Sequence, residues 1–188
     1  ELNLSGYGIN LLPQNLGYLA ELRNLDLSDN NINIIPSSIE YLINIDSLKF
    51  SNNLIDSIPN VLHGLNEIKL LDLSSNSLRV FPEAISSLST LTELNLSHNL
   101  ITHIPPEIEN LENLHIFNSS NNMLINIPEE IGNLSNISKL NMSYNHISNI
   151  SESVKYLSNL TDLSLEYNQL DSIPDVFHQI NNLVNLDI

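Results

Sequence analysis

Residues Leu94–Leu114 read LNLSHNLITHIPPEIENLENL. The same arrangement of leucine, asparagine, isoleucine and proline returns every 23 residues along the chain, without an insertion. The asparagine recurs at Asn30, Asn53, Asn76, Asn99, Asn122, Asn145 and Asn168, and the proline at Pro13, Pro36, Pro59, Pro82, Pro105, Pro128 and Pro174. A fixed period of about 20 to 50 residues is the signature of a repeat architecture. The sequence therefore predicts stacked repeats that each contact only their neighbours.

Seven positions of the repeat are apolar, and they carry two different spacings. In the second repeat they are Leu25, Leu27, Ile32, Ile35, Ile39, Leu42 and Ile45, and only Ser119 breaks the pattern in the full repeats. The alternation of Leu25 and Leu27 places both leucines on one side of a short strand. The spacing of three between Ile39 and Leu42 suits a 3₁₀ turn or a short α-helix. We therefore expect parallel strands on the inner side of a curved molecule and helical turns on the outer side.

These motifs resemble the leucine-rich-repeat family over the whole chain, and the Ile-Pro-x-x-Ile-x-x-Leu half is most similar to the 23-residue, intracellular Ras-group class. The resemblance implies an α/β fold: a leucine-rich-repeat solenoid forming a right-handed superhelix, with a curved parallel β-sheet on the concave side and short helical or 3₁₀ turns on the convex side. It also implies one domain over residues 1–188, with eight 23-residue repeats and a ninth strand. Because apolar strands stand at both ends, we expect a fragment of a longer array.

The same resemblance implies a function. We expect a protein–protein interaction scaffold that presents its concave surface in intracellular signalling, with a small GTPase, kinase or phosphatase as the implied partner. Two alternatives are a targeting or regulatory repeat domain of a larger cyclase, phosphatase or kinase, and a pathogen protein that binds host proteins. We expect no cofactor and no enzymatic activity, because no acid pair, nucleophile–base set or phosphate-binding loop is found among these residues.

The composition narrows the class of partner and the compartment. The chain has 6 basic and 22 acidic side chains, a formal net charge of −16, which argues against nucleic acid as a partner. No apolar run approaches the ~18 residues of a membrane span, so we expect no membrane insertion. The absence of cysteine favours a reducing compartment, and we expect a cytoplasmic protein. The oligomeric state is left open.

Several repeated polar positions are interpreted as parts of the scaffold. The asparagines are expected to pair with backbone groups where each strand turns. Tyr7 stands in their place in the first repeat, and that turn is expected to be looser or to be covered by a preceding repeat. The serines two residues before the asparagines are expected to bond the backbone through their hydroxyls. Carboxylates after the prolines are expected to stabilise the start of each helical turn: Glu83, Glu107, Glu129, Glu130, Glu152 and Asp175.

Three departures from the repeat, and the histidines, are interpreted one by one. Phe117 and Met142 are expected to fill the space that Ser119 leaves in the core, and the alternative is a functional hinge at Ser119. Ser151, which stands where proline is expected, is interpreted as a tolerated replacement. Glu166 interrupts the serines and is a candidate contact residue. The histidines share no short ligand spacing, so no metal site is expected.

The outward positions of the strands and of the turns after them are expected to carry partner specificity, because packing does not constrain them. The candidate contact residues are Asp26, Asp29, Lys49, Asp72, Glu93, His98, Asn121, Met123, Lys139, Tyr144, His146, Glu166 and Tyr167. Tyr144 and Tyr167 occupy one position of adjacent repeats, so their rings are expected to form a ledge with Met123, His146 and Lys139 close by. Because exposed tyrosines are enriched among interface hot spots, this ledge is the predicted anchor. The alternative is that the two rings only pack on each other.

Overall fold

The computed structural model describes every residue of the chain, Glu1–Ile188, and contains one parallel sheet of nine strands in chain order. The strands are β1 Leu2–Asn3, β2 Asn24–Asp26, β3 Ser47–Lys49, β4 Leu70–Asp72, β5 Glu93–Asn95, β6 Ile116–Asn118, β7 Lys139–Asn141, β8 Asp162–Ser164 and β9 Asn185–Asp187. Neighbouring strands pair residues 23 positions apart, as in Leu25 with Leu48 and Leu48 with Leu71. The uniform register follows from the absence of insertions, and it confirms the predicted parallel sheet.

In β2 to β8 the middle residue of each strand is buried and the flanking residues are exposed or half-buried. In β5, Glu93 is exposed, Leu94 is buried and Asn95 is half-buried. Leu25 and Leu27 are both buried, which confirms that the alternating leucines share one side of the strand. We call the open side of the sheet, together with the turn after each strand, the concave face.

The outer side is built from 3₁₀ turns. They are η1 Leu16–Tyr18, η2 Ser37–Tyr41, η3 Leu62–Gly64, η4 Glu83–Ser87, η5 Pro106–Asn110, η6 Glu129–Asn133, η7 Glu152–Tyr156 and η8 Phe177–Gln179. At the end of η2 the N–H of Leu42 donates to the carbonyl of Ile39, a three-residue bond that matches the apolar spacing of three. The predicted short helical or 3₁₀ turns are therefore confirmed, all in the 3₁₀ form. No helix in the structure has the length and apolar content that crossing a membrane requires.

Carboxylates begin several of these turns, as predicted. Glu83, Glu107, Glu129, Glu130 and Glu152 lie in the first turns of η4 to η7, where the free N–H groups of the backbone favour negative charge. Asp175 instead precedes η8, and its carboxylate lies 3.4 Å from Nδ1 of His178. These charges belong to the outer side and not to the concave face.

One apolar core lies between the sheet and the outer turns. It is a single cluster of 47 buried residues, which the predicted apolar columns fill. Ile39, Leu42 and Ile45 are fully buried, whereas Leu2 and Leu186 at the two ends are only partly buried against the cluster. Each repeat is therefore buried by its neighbours, as expected for a solenoid.

The asparagines form the predicted ladder and join neighbouring repeats. At Asn99, Oδ1 accepts a hydrogen bond from the N–H of Leu78 at 3.0 Å, and Nδ2 donates to the carbonyls of Leu73, Leu96 and Ser97. Leu73 and Leu78 belong to the preceding repeat. Each asparagine therefore completes the turn of the repeat before its own, which confirms the expected backbone pairing.

Tyr7 stands outside this ladder. Its side chain is 74% exposed, and it lies between Gly6 and Gly8, whose φ angles are +76° and +69°. Glycine adopts such angles at no steric cost. The first turn is closed by Asn30, whose Oδ1 accepts from the N–H of Ile9 at 2.8 Å.

Ser151 caps an outer turn, which corrects its interpretation as a tolerated replacement of proline. Its Oγ accepts a hydrogen bond from the N–H of Ser153 at 3.2 Å at the start of η7. Proline has no side-chain oxygen for this bond, and serine is among the preferred residues at such a position. Serine at this position therefore contributes a hydrogen bond, where proline in the other repeats fixes the φ angle of the backbone.

Ser119 is buried in the core without a partner for its hydroxyl. Phe117 and Met142 are both fully buried, as the predicted repacking requires. Asn122 and Asn145 bond the backbone carbonyl of Ser119 and not its side chain. The repacking is thus accompanied by a buried hydroxyl that lacks a hydrogen bond, which is unfavourable.

We expect Ser119→Ala to raise the free energy of unfolding by about 1 kcal/mol, because the substitution removes an unpaired buried hydroxyl and adds no volume. Urea denaturation followed by circular dichroism measures this change. Ser135→Ala, at an exposed position, serves as the control and should alter stability by less than about 0.5 kcal/mol. A Ser119→Ala variant no more stable than the parent chain contradicts the prediction.

Candidate functional site

The predicted contact residues all lie on the concave face, and none of them is buried. Glu93 and Lys139 begin strands, whereas Asp26, Lys49 and Asp72 lie at strand ends. The others follow the strands in the turns before or after the ladder asparagines: Asp29, His98, Asn121, Met123, Tyr144, His146, Glu166 and Tyr167. Because these residues lie on the same face, one partner can contact several of them at once. Their roles in binding stay predictions.

Asp26 and Asp72 have structural duties that the sequence interpretation missed. Oδ1 of Asp26 accepts from the N–H of Ser28 at 3.0 Å, and Oδ1 of Asp72 accepts from both the N–H and the hydroxyl of Ser74. The same bond to the residue two positions later recurs along this column, at Asn3, Asn95, Asn118 and Asn141. The expectation that packing and folding leave these positions unconstrained is therefore corrected.

The serine hydroxyls differ from the prediction as well. Those of Ser74, Ser97 and Ser143 donate to the side-chain oxygen of the residue two positions earlier, and not to the backbone. The hydroxyl of Ser51 donates to that of Ser28. The serines still act locally, but their partners are side chains.

Lys49 lies in register between Asp26 and Asp72 on three adjacent strands. None of the three ion pairs of the chain includes it, since both carboxylates turn toward their own loops. Lys49 borders two shallow depressions of the concave face, of about 290 and 250 Å³. The carboxylate of Asp29 accepts a hydrogen bond from the side-chain amide of Asn52 at 2.7 Å. The acidic side chains of the early repeats therefore already have some of their hydrogen-bond partners within the chain.

One column of the concave face has a left-handed backbone, which the sequence did not indicate. Its φ angles lie near +54° at Asp29, Asn52, Ser75, His98, Asn121, Tyr144 and Tyr167. Aspartate, asparagine and histidine tolerate this region, whereas bulky residues are outliers there. Tyr144 and Tyr167 therefore occupy positions for which their side chains are poorly suited.

The two tyrosines form the predicted ledge. Their ring centroids lie 4.3 Å apart with an interplanar angle of 15°, and the residues are 45% and 67% exposed. We call this pair the tyrosine ledge. Partial desolvation, the neighbouring hydroxyl of Tyr167 and the nearby charge of Glu166 raise the pKa of Tyr144 above its ordinary value. The rings do pack on each other, and they also present an aromatic surface to solvent.

The three predicted neighbours of the ledge lie on β7 and in the turns of β6 and β7. Met123, 43% exposed, and His146 lie in the turns of β6 and β7, and Nδ1 of His146 is 2.9 Å from the amide of Gln169. Lys139 begins β7, at the opposite end of that strand from Tyr144. That Lys139 lies close to the ledge stays a prediction.

A third depression on the concave face is lined by Lys139 and includes a carboxylate that the sequence analysis did not single out. It has a volume of about 290 Å³ and is lined by Lys139, Asp162 and Asn185 among others. Hydrogen bonds from the Thr161 hydroxyl and the Asn185 amide lower the pKa of Asp162. A comparison of the first residues of all the strands would have identified Asp162 from the sequence.

No group of three or more histidine, aspartate or glutamate side chains is arranged to hold a metal ion. The exposed groups of the concave face are mainly amides, hydroxyls, carboxylates and aromatic rings. Such groups make hydrogen bonds and apolar contacts with a second molecule.

Comparisons with known proteins agree with this geometry. Family models for leucine-rich repeats match residues 20–78, 89–147 and 159–180. No curated protein sequence matches the chain. The structure is similar to that of a leucine-rich-repeat protein of Leptospira interrogans, with 30% identity and a TM-score of 0.97 over 100% of this chain. The chain covers 48% of the Leptospira protein, about half its length.

Two further solved structures are similar. The ectodomain of the plant membrane receptor kinase GASSHO1/SCHENGEN3 from Arabidopsis thaliana, in complex with Casparian strip integrity factor 2, is 30% identical with a TM-score of 0.87. That match covers 95% of this chain and 22% of the ectodomain. Internalin C2 of Listeria monocytogenes is 27% identical with a TM-score of 0.86, over 100% of this chain and 80% of the internalin.

Proposed function

The chain belongs to the leucine-rich-repeat family, and from this we propose that it binds a protein partner through its concave face, with the tyrosine ledge as the main anchor. Leucine-rich-repeat domains are typically binding modules without catalysis. The plant ectodomain, solved in complex with another factor, supports the choice of a binding role for this chain.

The left-handed backbone at Tyr144 and Tyr167 is the observation that carries the proposal. Holding a non-glycine residue in this region costs roughly 1 to 2 kcal/mol, and bulky side chains are the least suited to it. Other repeats place aspartate, asparagine, serine or histidine there, so folding alone does not call for tyrosine. Exposed, rigid aromatic rings are what a binding anchor needs.

The setting of this interaction is part of the same proposal. We place the module in the cytoplasm, in intracellular signalling, with a small GTPase, kinase or phosphatase as the partner. The lack of cysteine and the likeness to the Ras-group repeat class support this setting. Co-localisation of the tagged protein with a cytoplasmic marker is the expected result, and export of the tagged protein contradicts it.

A second candidate is a regulatory repeat domain of a larger enzyme. It is favoured by one comparison, because the similar plant ectodomain belongs to a membrane receptor kinase. The gene that encodes this chain distinguishes the two candidates: an adjoining kinase, phosphatase or cyclase domain supports the second.

The tyrosine ledge is tested with Tyr144→Asn/Tyr167→Asn. Asparagine already occupies this left-handed position at Asn52 and Asn121, so we expect the double variant to fold with an unfolding midpoint no lower than that of the parent chain. Random dodecapeptides displayed on phage and selected on the parent chain serve as the probe. We expect the selected peptides to bind the double variant at least about tenfold more weakly, a loss of roughly 1.4 kcal/mol.

Ser75→Asn is the matched control for this measurement. It changes the same left-handed column to asparagine in an earlier repeat, away from the ledge. Its affinity for the selected peptides should equal that of the parent chain. Peptides that bind the double variant as tightly as the parent chain contradict the proposed anchor.

A further inference from the structure

Glu166 is the one carboxylate in a column that otherwise holds serine. The other members are Ser5, Ser28, Ser51, Ser74, Ser97, Ser120 and Ser143. The three ion pairs of the chain join Arg23 with Asp46, Lys155 with Glu152 and His178 with Asp175, so none involves Glu166. Its backbone carbonyl accepts from Tyr144 and Asn168, whereas its carboxylate has no partner within the chain.

Along the backbone Glu166 is next to both residues of the tyrosine ledge, because it precedes Tyr167 and its carbonyl accepts from the N–H of Tyr144 at 2.9 Å. The residue is half-buried, and its charge is one of the smaller causes that raise the pKa of Tyr144 in the neighbouring repeat. A carboxylate without a partner gains from a cation brought to it, by a modest amount where both groups stay in contact with water. The site therefore combines two aromatic rings with an uncompensated negative charge.

No basic side chain of the chain forms an ion pair with Glu166. Lys139, on the adjacent strand, lies at the far end of β7, and His146 is engaged with Gln169. The formal net charge of −16 adds a field that attracts a positively charged molecule from a distance. Charge complementarity thus favours a basic partner at this point.

We propose that the partner binds as a basic polypeptide segment whose lysine or arginine pairs with Glu166 while its aliphatic stem lies along the tyrosine ledge toward Met123. This inference rests on the proposed function. Lysine and arginine carry apolar stems that pack on rings and thioethers while their charged ends seek an anion. An acidic or phosphorylated segment would instead be repelled by Glu166.

The test uses the dodecapeptides selected on the parent chain and compares their affinity for Glu166→Gln and for Glu107→Gln. Both substitutions remove one negative charge, but Glu107 lies in η5 on the outer side. We expect Glu166→Gln to weaken binding about fivefold, as for a partly solvated ion pair, and Glu107→Gln to leave it unchanged. Replacing the key lysine of a peptide by norleucine should cause the same loss on the parent chain and no further loss on Glu166→Gln.

A charge exchange supplies an independent readout. Glu166→Lys should lose the basic peptide and should recover affinity when the key lysine of the peptide is replaced by glutamate. Binding of the basic peptide should also weaken as the salt concentration rises, because screening shortens the reach of charge.

The outcomes separate this inference from the proposed function. Peptides that require the tyrosine ledge but carry no basic residue, or that tolerate Glu166→Gln, overturn the inference and leave the anchor in place. Equal losses of peptide affinity with Glu166→Gln and Glu107→Gln also overturn the inference, because such losses reflect only the net charge of the chain. A selection that returns no peptide dependent on the ledge overturns both.

Discussion

Replacing Asn122 with alanine lowers the free energy of unfolding by about 3 to 4 kcal/mol, the largest effect that we expect from one side chain. Oδ1 of Asn122 accepts from the N–H of Ile101 at 3.0 Å, and its Nδ2 donates to the carbonyls of Leu96, Ser119 and Ser120. Alanine leaves the buried N–H of Ile101 without a partner, at about 1 to 3 kcal/mol, and forfeits the amide donors as well.

Asn126→Ala provides the matched control for the ladder. Asn126 is exposed and lies in the same repeat, so its loss should change stability by less than about 0.5 kcal/mol. Urea denaturation of both variants measures the difference. Equal stability of Asn122→Ala and Asn126→Ala would show that the ladder bonds add nothing beyond what water supplies.

Gly132→Ala destabilises the chain by about 2 to 3 kcal/mol through overpacking. A Cβ at Gly132 would lie 2.6 Å from the carbonyl oxygen and 2.8 Å from the Cβ of Ser153, in the next outer turn. Because the nearest atom belongs to the backbone, η6 and η7 have to separate. The gain from a less flexible unfolded chain is smaller, at about 0.4 to 1 kcal/mol.

The control for Gly132 lies at the same repeat position one unit earlier. Glu109 is exposed there, and Glu109→Ala removes only one hydrogen bond to Asn133. Thermal unfolding of the two variants should therefore give a markedly lower midpoint for Gly132→Ala alone. Similar unfolding midpoints for the two variants would mean that η6 and η7 move apart without a loss of stability.

The fold could be predicted from the sequence because its determinants are periodic. Leucines that alternate at Leu25 and Leu27 specify the strand, and the ladder asparagines mark the turn, so register and topology follow from spacing. The close approach at Gly132 could not be predicted, because it depends on how far η6 and η7 lie apart. Ser151 was misinterpreted for a similar reason, since only the structure shows its hydroxyl facing an N–H.

The candidate site was predicted less completely than the fold. The tyrosine ledge followed from one column of the repeat, and its ring stacking was expected. Its left-handed backbone was not, because nothing in the identity of Tyr144 or Tyr167 reveals a positive φ angle. The bonds of Asp26 and Asp72 to their own loops depend on side-chain rotation, which periodicity does not determine.

The asparagine ladder has a consequence for biosynthesis. Asn99 makes hydrogen bonds to the turn of the preceding repeat, at Leu73 and Leu78. A turn that has just been synthesised therefore lacks these bonds until the following repeat has been translated. Folding during synthesis must therefore trail the growing end by at least one repeat. A ribosome stalled partway through this gene would always carry one unfinished turn, exposed to proteases and chaperones.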